Sequence, residues 1–230
     1  MPETVNILSA PVYIAIAIAA LVTLGSWYYS IFYQPRKMQR AYRKALYALA
    51  AAVETRDSGT IGHAKRVAEY AVAVADELGI KRAERIRIEY AALLRDIGKV
   101  NVPAWLLNKS TPLEENEWEE VKRHAELGAE IVKAVPFLSF LSDVILHHHE
   151  CWDGSGYPDG LAGEAIPLAS RILAVTTDYD AITSERPYHE SRPPEVAIEQ
   201  IINGKGTRYD PAVVDAFLRV LQSQGINISR

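Results

Sequence analysis

The sequence predicts an all-α protein, a helical bundle preceded by one N-terminal transmembrane helix. Three observations carry this. Residues 12–33, VYIAIAIAALVTLGSWYYSIFY, contain no charged side chain. Beyond them, apolar residues recur at three-to-four spacing in segments punctuated by Gly and Pro, the period of a helix with one buried face. No run alternates apolar and polar residues as a half-buried strand would.

Residues 12–33 are long enough to cross a hydrocarbon core of ~30 Å at ~1.5 Å per residue. Trp27, Tyr28, Tyr29, Phe32 and Tyr33 gather at the C-terminal end as an interfacial belt, and Arg36, Lys37, Arg40, Arg43 and Lys44 follow at once. Only Glu3 and the amino terminus carry charge before the span. The positive-inside bias therefore predicts a single-pass protein of the inner (cytoplasmic) membrane. Residues 1–11 form a short extracytoplasmic tail with no room for a sensor domain, and everything after Tyr33 is cytoplasmic. Ala15, Ala19 and Thr23, four apart, offer a small-residue face through which a homodimer could pack.

From 34 to 57 the chain is Ala-rich, with Tyr42, Leu46, Leu49 and Val53 at helical spacing. This predicts a juxtamembrane helix, either relaying a signal or acting as a spacer. The domain proper is expected over 58–225. Thr60 is a candidate cap for a helix holding His63, Val67, Tyr70, Ala71, Val74 and Leu78, which Gly79 ends. The next helix covers about 82–97 and stops at Gly98. Thr111, Pro112 and Glu114 read as a capping box with Pro at the first helical position, opening a helix that carries His124 and ends near Val135 and Pro136. Phe137 to Leu146 predicts a helix whose last turn carries three His residues and which Gly154 ends. Pro167 opens a helix through Ser184, Pro193 and Pro194 start another that Gly204 and Gly206 end, and Asp210 with Pro211 caps the last, to about Ser223.

Composition narrows function. The 230 residues are 49% hydrophobic, which suits one membrane segment plus one domain of roughly 190 residues. A formal charge of -4 gives no basic face for duplex DNA or RNA, so no duplex nucleic-acid partner is expected, whereas a small anionic ligand is compatible. The one cysteine, Cys151, excludes an intrachain disulfide and fits a reducing compartment; it is either a metal ligand or a packing thiol.

The chemistry concentrates in HHHECWDGSGYP at 147–158. Consecutive imidazoles followed by a Gly-rich loop do not arise from core packing. The six His are His63, His124, His147, His148, His149 and His189, five of them in helix-like segments. Neighbouring helical residues point about 100° apart, so His148 and His149 would face two points of one metal cluster, and another element must bring further ligands. Imidazole with carboxylate suits zinc, iron or manganese.

Taken together, HAKRVA at 63–68, AALLRDIGKV at 91–100, HAELG at 124–128, HHE at 148–150, DGSGYPDGL at 153–161, IPLASRILAV at 166–175 and YDAITSERPY at 179–188 resemble the HD-GYP family of the HD phosphohydrolase superfamily, over about residues 45–220. The resemblance implies an all-α bundle of HD-GYP type, whose best-known members hydrolyse cyclic di-GMP with two or three iron or manganese ions. It implies metal-ligand positions at His63, Asp96, His124, His148 and His149, with Asp96 bridging two ions. Catalytic roles fall to Asp96 and Lys99. Lys99 and Arg186 match residues that face substrate phosphate, and the loop of Gly154, Gly156 and Tyr157 to Pro158 matches the signature that shapes the nucleotide pocket. The alternative for Asp96, Lys99 and Arg186 is an ion-pair network that staples helices.

Two departures bear on function. Arg95 stands where the family has the His of its HD pair, and Thr177 stands where it has the Asp of a VAD run. With His63 and Asp96 these positions would form a first metal site, so half of it is missing. Asp178, one helical step away, does not replace the lost ligand. Some relatives hold a third ion with Glu where this chain has Gly59. A guanidinium neither ligates nor deprotonates, so an inward Arg95 and a first-site ion exclude each other. The second site, Asp96 with His124 and with His148 or His149, keeps its ligands. The reading is therefore a membrane-anchored domain that holds one divalent ion or none, with Arg95 paired to Asp96 as a fixed positive charge facing substrate. It binds cyclic di-GMP or a related phosphodiester in cyclic-dinucleotide signalling with little or no hydrolysis, a pseudoenzyme. The alternatives are an active metal-dependent cyclic di-GMP phosphodiesterase, and hydrolysis of another phosphoester, against which the intact DGSGYP loop argues.

Overall fold

The computed structural model describes residues 9–56, 62–185, 191–226 and 228. Packing divides the chain into two units, Met1–Ala45 and Leu46–Arg230. In the first, helix α1 (Ser9–Tyr28) leads into a π turn (Tyr29–Tyr33) and the start of α2 (Gln34–Glu54), whose residues from Leu46 belong to the second. α1 is long and apolar enough to cross a membrane. Its apolar side chains Val12, Ile14, Leu21 and Leu24 are all exposed. The expected aromatic cluster forms at its end, with Tyr29 stacked on Tyr33 at 5.1 Å and Phe32 against Tyr28 at 5.3 Å.

The second unit is all helical among the described residues, its extended pairing limited to the isolated bridges Asp153 to Ala162 and Lys205 to Tyr209. Its helices are α3 (His63–Glu77), α4 (Arg82–Leu94), α5 (Ala104–Leu107), α6 (Glu115–Lys122), α7 (His124–Lys133), α8 (Ser142–Leu146), α9 (Leu168–Thr183), α10 (Pro194–Asn203) and α11 (Pro211–Ser223). α3 is the centre, packing on α4, α9 and α11. The reason is in its sequence: Ala68, Ala71 and Ala75 recur at three-to-four spacing with Val67 and Val74 and are buried, so neighbouring helices approach closely. Tyr70, Tyr179 and Phe217 close the core edge to face, with centroids 5.0–5.9 Å apart. Burying one such ring is worth about 1.5–3 kcal/mol. Leu46, Ala50 and Val53 of α2 belong to this core, so the domain begins inside the stretch 34–57 read as a juxtamembrane helix.

Several helix ends differ from expectation, each for a local reason. The Thr60 cap lies outside the described residues; Glu54 caps α3, accepting from Gly62 N at 2.7 Å and Ala64 N at 2.6 Å. α4 ends at Leu94, not Ile97, and Arg95 Nη1 donates to the carbonyl of Ala92 in its last turn. Gly98 is therefore no helix stop. It lies in a 3-10 turn, Ile97–Asn101, against α7, and a Cβ there would overlap the His124 carbonyl. The capping box is real but three residues later: Glu114 is the cap of α6 and Glu117 bonds back to Glu114 N, held by Lys109. α8 is only Ser142–Leu146, so the three consecutive His residues follow the helix and do not ride its last turn. Their rings end it, since His147 and His148 donate Nδ1–H to the carbonyls of Asp143 and Ile145. Gly154, at φ +84, turns the later loop. The expected openings of α9 and α10 and the Asp210 cap of α11 are present, Asp210 accepting from Ala212 N at 2.8 Å.

Candidate metal and nucleotide site

The 3-10 turn after α4 and the first turn of α7 meet where Gly98 and Gly128 let backbone approach backbone. That approach sets Asp96 Oδ1 3.9 Å from His124 Nε2. The His148 turn supplies the rest. The ligand atoms of His124, His148 and His149 lie within 4.8 Å of one another.

The tautomers follow from hydrogen bonding. His124 Nδ1 is 2.6 Å from the Val121 carbonyl and His148 Nδ1 is 2.6 Å from the Ile145 carbonyl. A carbonyl only accepts, so both rings carry the proton on Nδ1 and turn an Nε2 lone pair toward the other at 3.4 Å. His149 Nε2 stands 3.2 Å from His124 Nε2. Converging lone pairs beside a carboxylate repel unless a cation lies between them, so this donor set fits one divalent ion. Burial lowers the pKa of all three imidazoles, that of His148 to about 3, which keeps them neutral and able to ligate at pH 7. His147 is different. Both of its nitrogens are used, Nδ1 by the Asp143 carbonyl and Nε2 by Asp159 at 2.9 Å, so it fastens the loop.

His63 does not join this cluster. Its Nδ1 donates to Asp180 Oδ2 at 2.5 Å, and Asp180 also accepts from Arg66 Nε at 2.6 Å. Asp180 therefore orients the imidazole, leaving Nε2 for the cavity that His63 lines. Arg95 is 1% exposed; its Nε stands 3.1 Å from Asp96 Oδ2, and Lys99 Nζ is 3.1 Å from Asp96 Oδ1. Burial pushes the Asp96 carboxyl up, but Lys99 and Arg95 bring it well below the usual carboxylate range. Thr177 offers a hydroxyl where a carboxylate would be needed, and Asp178 turns away to Arg208 and Tyr209, both at 2.7 Å. The set of His63, Arg95, Asp96 and Thr177 does not fit a second cation.

A cavity of about 630 Å³ opens over these groups, within the size range of small-ligand sites. Tyr157 forms one wall, stacked on His149 at 4.8 Å and 18°, with Trp118 edge-on at 6.4 Å and Lys122 above the ring at 5.5 Å. Gly156 lines it too, and a Cβ there would overlap the Glu150 and Cys151 backbone, which explains that glycine. Gly154 is not in the lining; its left-handed φ serves the loop. Cys151 lines the cavity as a free thiol outside the imidazole cluster. Arg186, Gly59 and His189 lie outside the described residues. Sequence reasoning gave no role to Asp180, Trp118, Lys122 or Arg208. Asp180 sits in the YDAITSERPY run, but its bond to His63 joins residues 117 positions apart.

The HD domain family model matches residues 48–213. The cyclic di-GMP phosphodiesterase response regulator RpfG of Xanthomonas campestris is 41% identical over 185 residues, 80% of this chain and 49% of that protein. A cyclic di-GMP phosphodiesterase of Thermotoga maritima is 39% identical over 169 residues, 73% of this chain and 46% of that protein. The 3'3'-cGAMP-specific phosphodiesterase 2 of Vibrio cholerae is 34% identical, with 79% of this chain and 35% of that protein covered. This chain thus spans about half the length, or less, of these curated relatives. The crystal structure of the V. cholerae cyclic GMP-AMP specific phosphodiesterase V-cGAP3 superposes with a TM-score of 0.63 at 19% identity, covering 78% of this chain and 48% of that one, a likeness of fold. From the matched model, these relatives and the imidazole cluster beside Asp96, the chain belongs to the HD domain family, in its HD-GYP cyclic-dinucleotide phosphodiesterase group.

Proposed function

We propose that this protein binds cyclic di-GMP, or a related phosphodiester, in the cavity over Asp96, and hydrolyses it little or not at all. At most one divalent ion, iron or manganese, would be held, by Asp96, His124, His148 and His149. When bound, such an ion supplies a Lewis-acidic contact for a phosphate oxygen and lowers the pKa of bound water. The rest falls to the chain's own residues. Lys99 faces the phosphodiester, Tyr157 offers a ring for the base, and Gly156 lets the loop backbone come close. The observation that carries this reading is the buried Arg95 guanidinium on Asp96, which occupies the side of the carboxylate where a second ion would be needed to clamp the leaving oxygen. Arg186 is assigned to the phosphate on sequence alone.

In the same reading α1 anchors the domain as a single-pass span at 12–33, with residues 1–11 outside, 34–57 beneath the membrane and 58–225 in the cytoplasm; a homodimer through Ala15, Ala19 and Thr23 is part of it. The supporting observation is the unburied apolar face of α1 with the basic residues that follow Tyr33.

The three facing imidazoles also favour a second reading, an active phosphodiesterase that works with one ion, and relatives named phosphodiesterases support it as well. Titration of cyclic di-GMP into the detergent-solubilised full chain tests the first. Saturable binding of the intact nucleotide is expected, and absence of binding with or without manganese would remove it.

A further inference from the structure

Among the described residues, three that line the cavity carry a buried polar atom without a partner: Glu150 Oε2, a carboxylate oxygen that can only accept, and two donors. Arg95 Nη2 and Thr177 Oγ1 are both buried and unbonded. A guanidinium that is 1% exposed with one unsatisfied amino group is costly. Arg95 uses its other nitrogens on Asp96 and on the Ala92 carbonyl, which fixes the direction of the guanidinium plane. Thr177 is equally unusual. A helical Thr whose hydroxyl is buried ordinarily bonds the carbonyl four residues back, as Thr176 does to Ile172 at 3.0 Å, yet Thr177 Oγ1 does not. His63 lines the same cavity with its orientation fixed by Asp180.

Arg95 Nη2 and Thr177 Oγ1, unsatisfied N–H and O–H donors of residues that line the same cavity, match an oxygen acceptor, and the fixed positive charge of Arg95 selects an anionic one. We propose that Arg95 and Thr177 form a metal-independent oxyanion subsite, which takes a non-bridging phosphate oxygen on the side of Asp96 where no ion fits. This rests on the reading of the cavity as a phosphodiester site and deepens it: the charge that recognises phosphate there is carried by the polypeptide and survives removal of metal. The guanidinium supplies a charged donor and the hydroxyl a neutral one, so the two contribute unequally.

The test is equilibrium dialysis of the full chain in detergent with excess chelator, using radiolabelled inorganic phosphate and, in parallel, cyclic di-GMP. Binding of phosphate without metal is expected. Thr177→Val, which keeps shape and removes the donor, should weaken it about 5- to 10-fold, and Thr177→Ser should restore it. Arg95→Met should weaken it by more than about 30-fold. Because Arg95→Met removes a buried partner of Asp96 and can unfold the site, the Thr177 pair carries the decision if that variant melts early. Phosphate binding that depends on Thr177 while cyclic di-GMP does not bind would support the subsite and remove the nucleotide reading. Cyclic di-GMP binding unchanged by Thr177→Val, with no phosphate binding under chelator, would overturn the subsite and leave the nucleotide reading intact.

Discussion

The double substitution Arg95→His with Thr177→Asp is predicted to let each chain hold one more divalent ion than the natural sequence. An ion bonded to Asp96 Oδ2 at about 2.1 Å would lie within about 5.2 Å of Arg95 Nε, because Nε stands 3.1 Å from that oxygen. At an effective dielectric of about 20, a unit charge pair at that distance repels by about 3 kcal/mol, so a dication is opposed by about 6 kcal/mol. That is about four decades of affinity. Histidine removes the charge and offers a lone pair, and aspartate adds a ligand in place of a hydroxyl. Anaerobic dialysis of both full-length proteins against manganese, followed by elemental analysis, gives the stoichiometry. The natural protein should hold no more than one ion per chain and the folded variant one more. A natural protein that retains two, or a folded variant with no gain, would refute the electrostatic argument.

Three further predictions concern the remaining site and its support. His148→Ala deletes an imidazole of the facing pair and should lower manganese affinity by more than about 100-fold, since outer partners of metal ligands alone are worth 10–100-fold; the same dialysis checks it. Asp180→Ala strips Arg66 and His63 of a carboxylate that is 1% exposed and should cost about 3 kcal/mol in denaturant unfolding, the lower end for buried pairs because Arg66 reaches solvent. Burial pushes this carboxyl up but hydrogen bonds from His63 and Arg66 bring it down to about 2, below the usual 3.8, so its stabilisation is present above that usual value and fades as pH falls through the window between them. Natural and Asp180→Ala unfolding curves should therefore converge there. Gly98→Ala drives a Cβ into the His124 carbonyl and should destabilise by about 3 kcal/mol, with weaker metal binding because Asp96 and His124 are pushed apart; unfolding and dialysis together read it.

Much of this arrangement is legible in the sequence. Helical periodicity, Gly79, Pro193 with Pro194, and Asp210 place helices α3, α10 and α11, because those signals act within a few residues. The consecutive imidazoles before Gly156 and Tyr157 stand out because they have no packing explanation, whereas His124 joins His148 and His149 only through the family resemblance; their ligand atoms lie within 4.8 Å of one another. What escapes is tertiary. Glu54 caps α3 from the preceding helix, across eight residues, which no local pattern records. His147 and His148 end α8 by taking its carbonyls, so the run looks helical until the side-chain bonds are seen. Gly98 has the spacing of a helix stop, but its function is a close approach to α7 that no local pattern records. His63 is named as a ligand by resemblance, while its partner Asp180 becomes visible only when α3 and α9 are packed together.

The central claim is that a buried guanidinium, in place of an ion, leaves a site that holds a cyclic dinucleotide without turning it over. The most direct measurement is incubation of the full chain, prepared anaerobically in detergent with ferrous iron or manganese, with cyclic di-GMP, and chromatography of the nucleotide over time. Intact cyclic di-GMP recovered with the protein is the predicted result. Linear product formed at a catalytic rate would contradict the claim and establish that one ion, or an Arg95 that swings away from Asp96, suffices for hydrolysis.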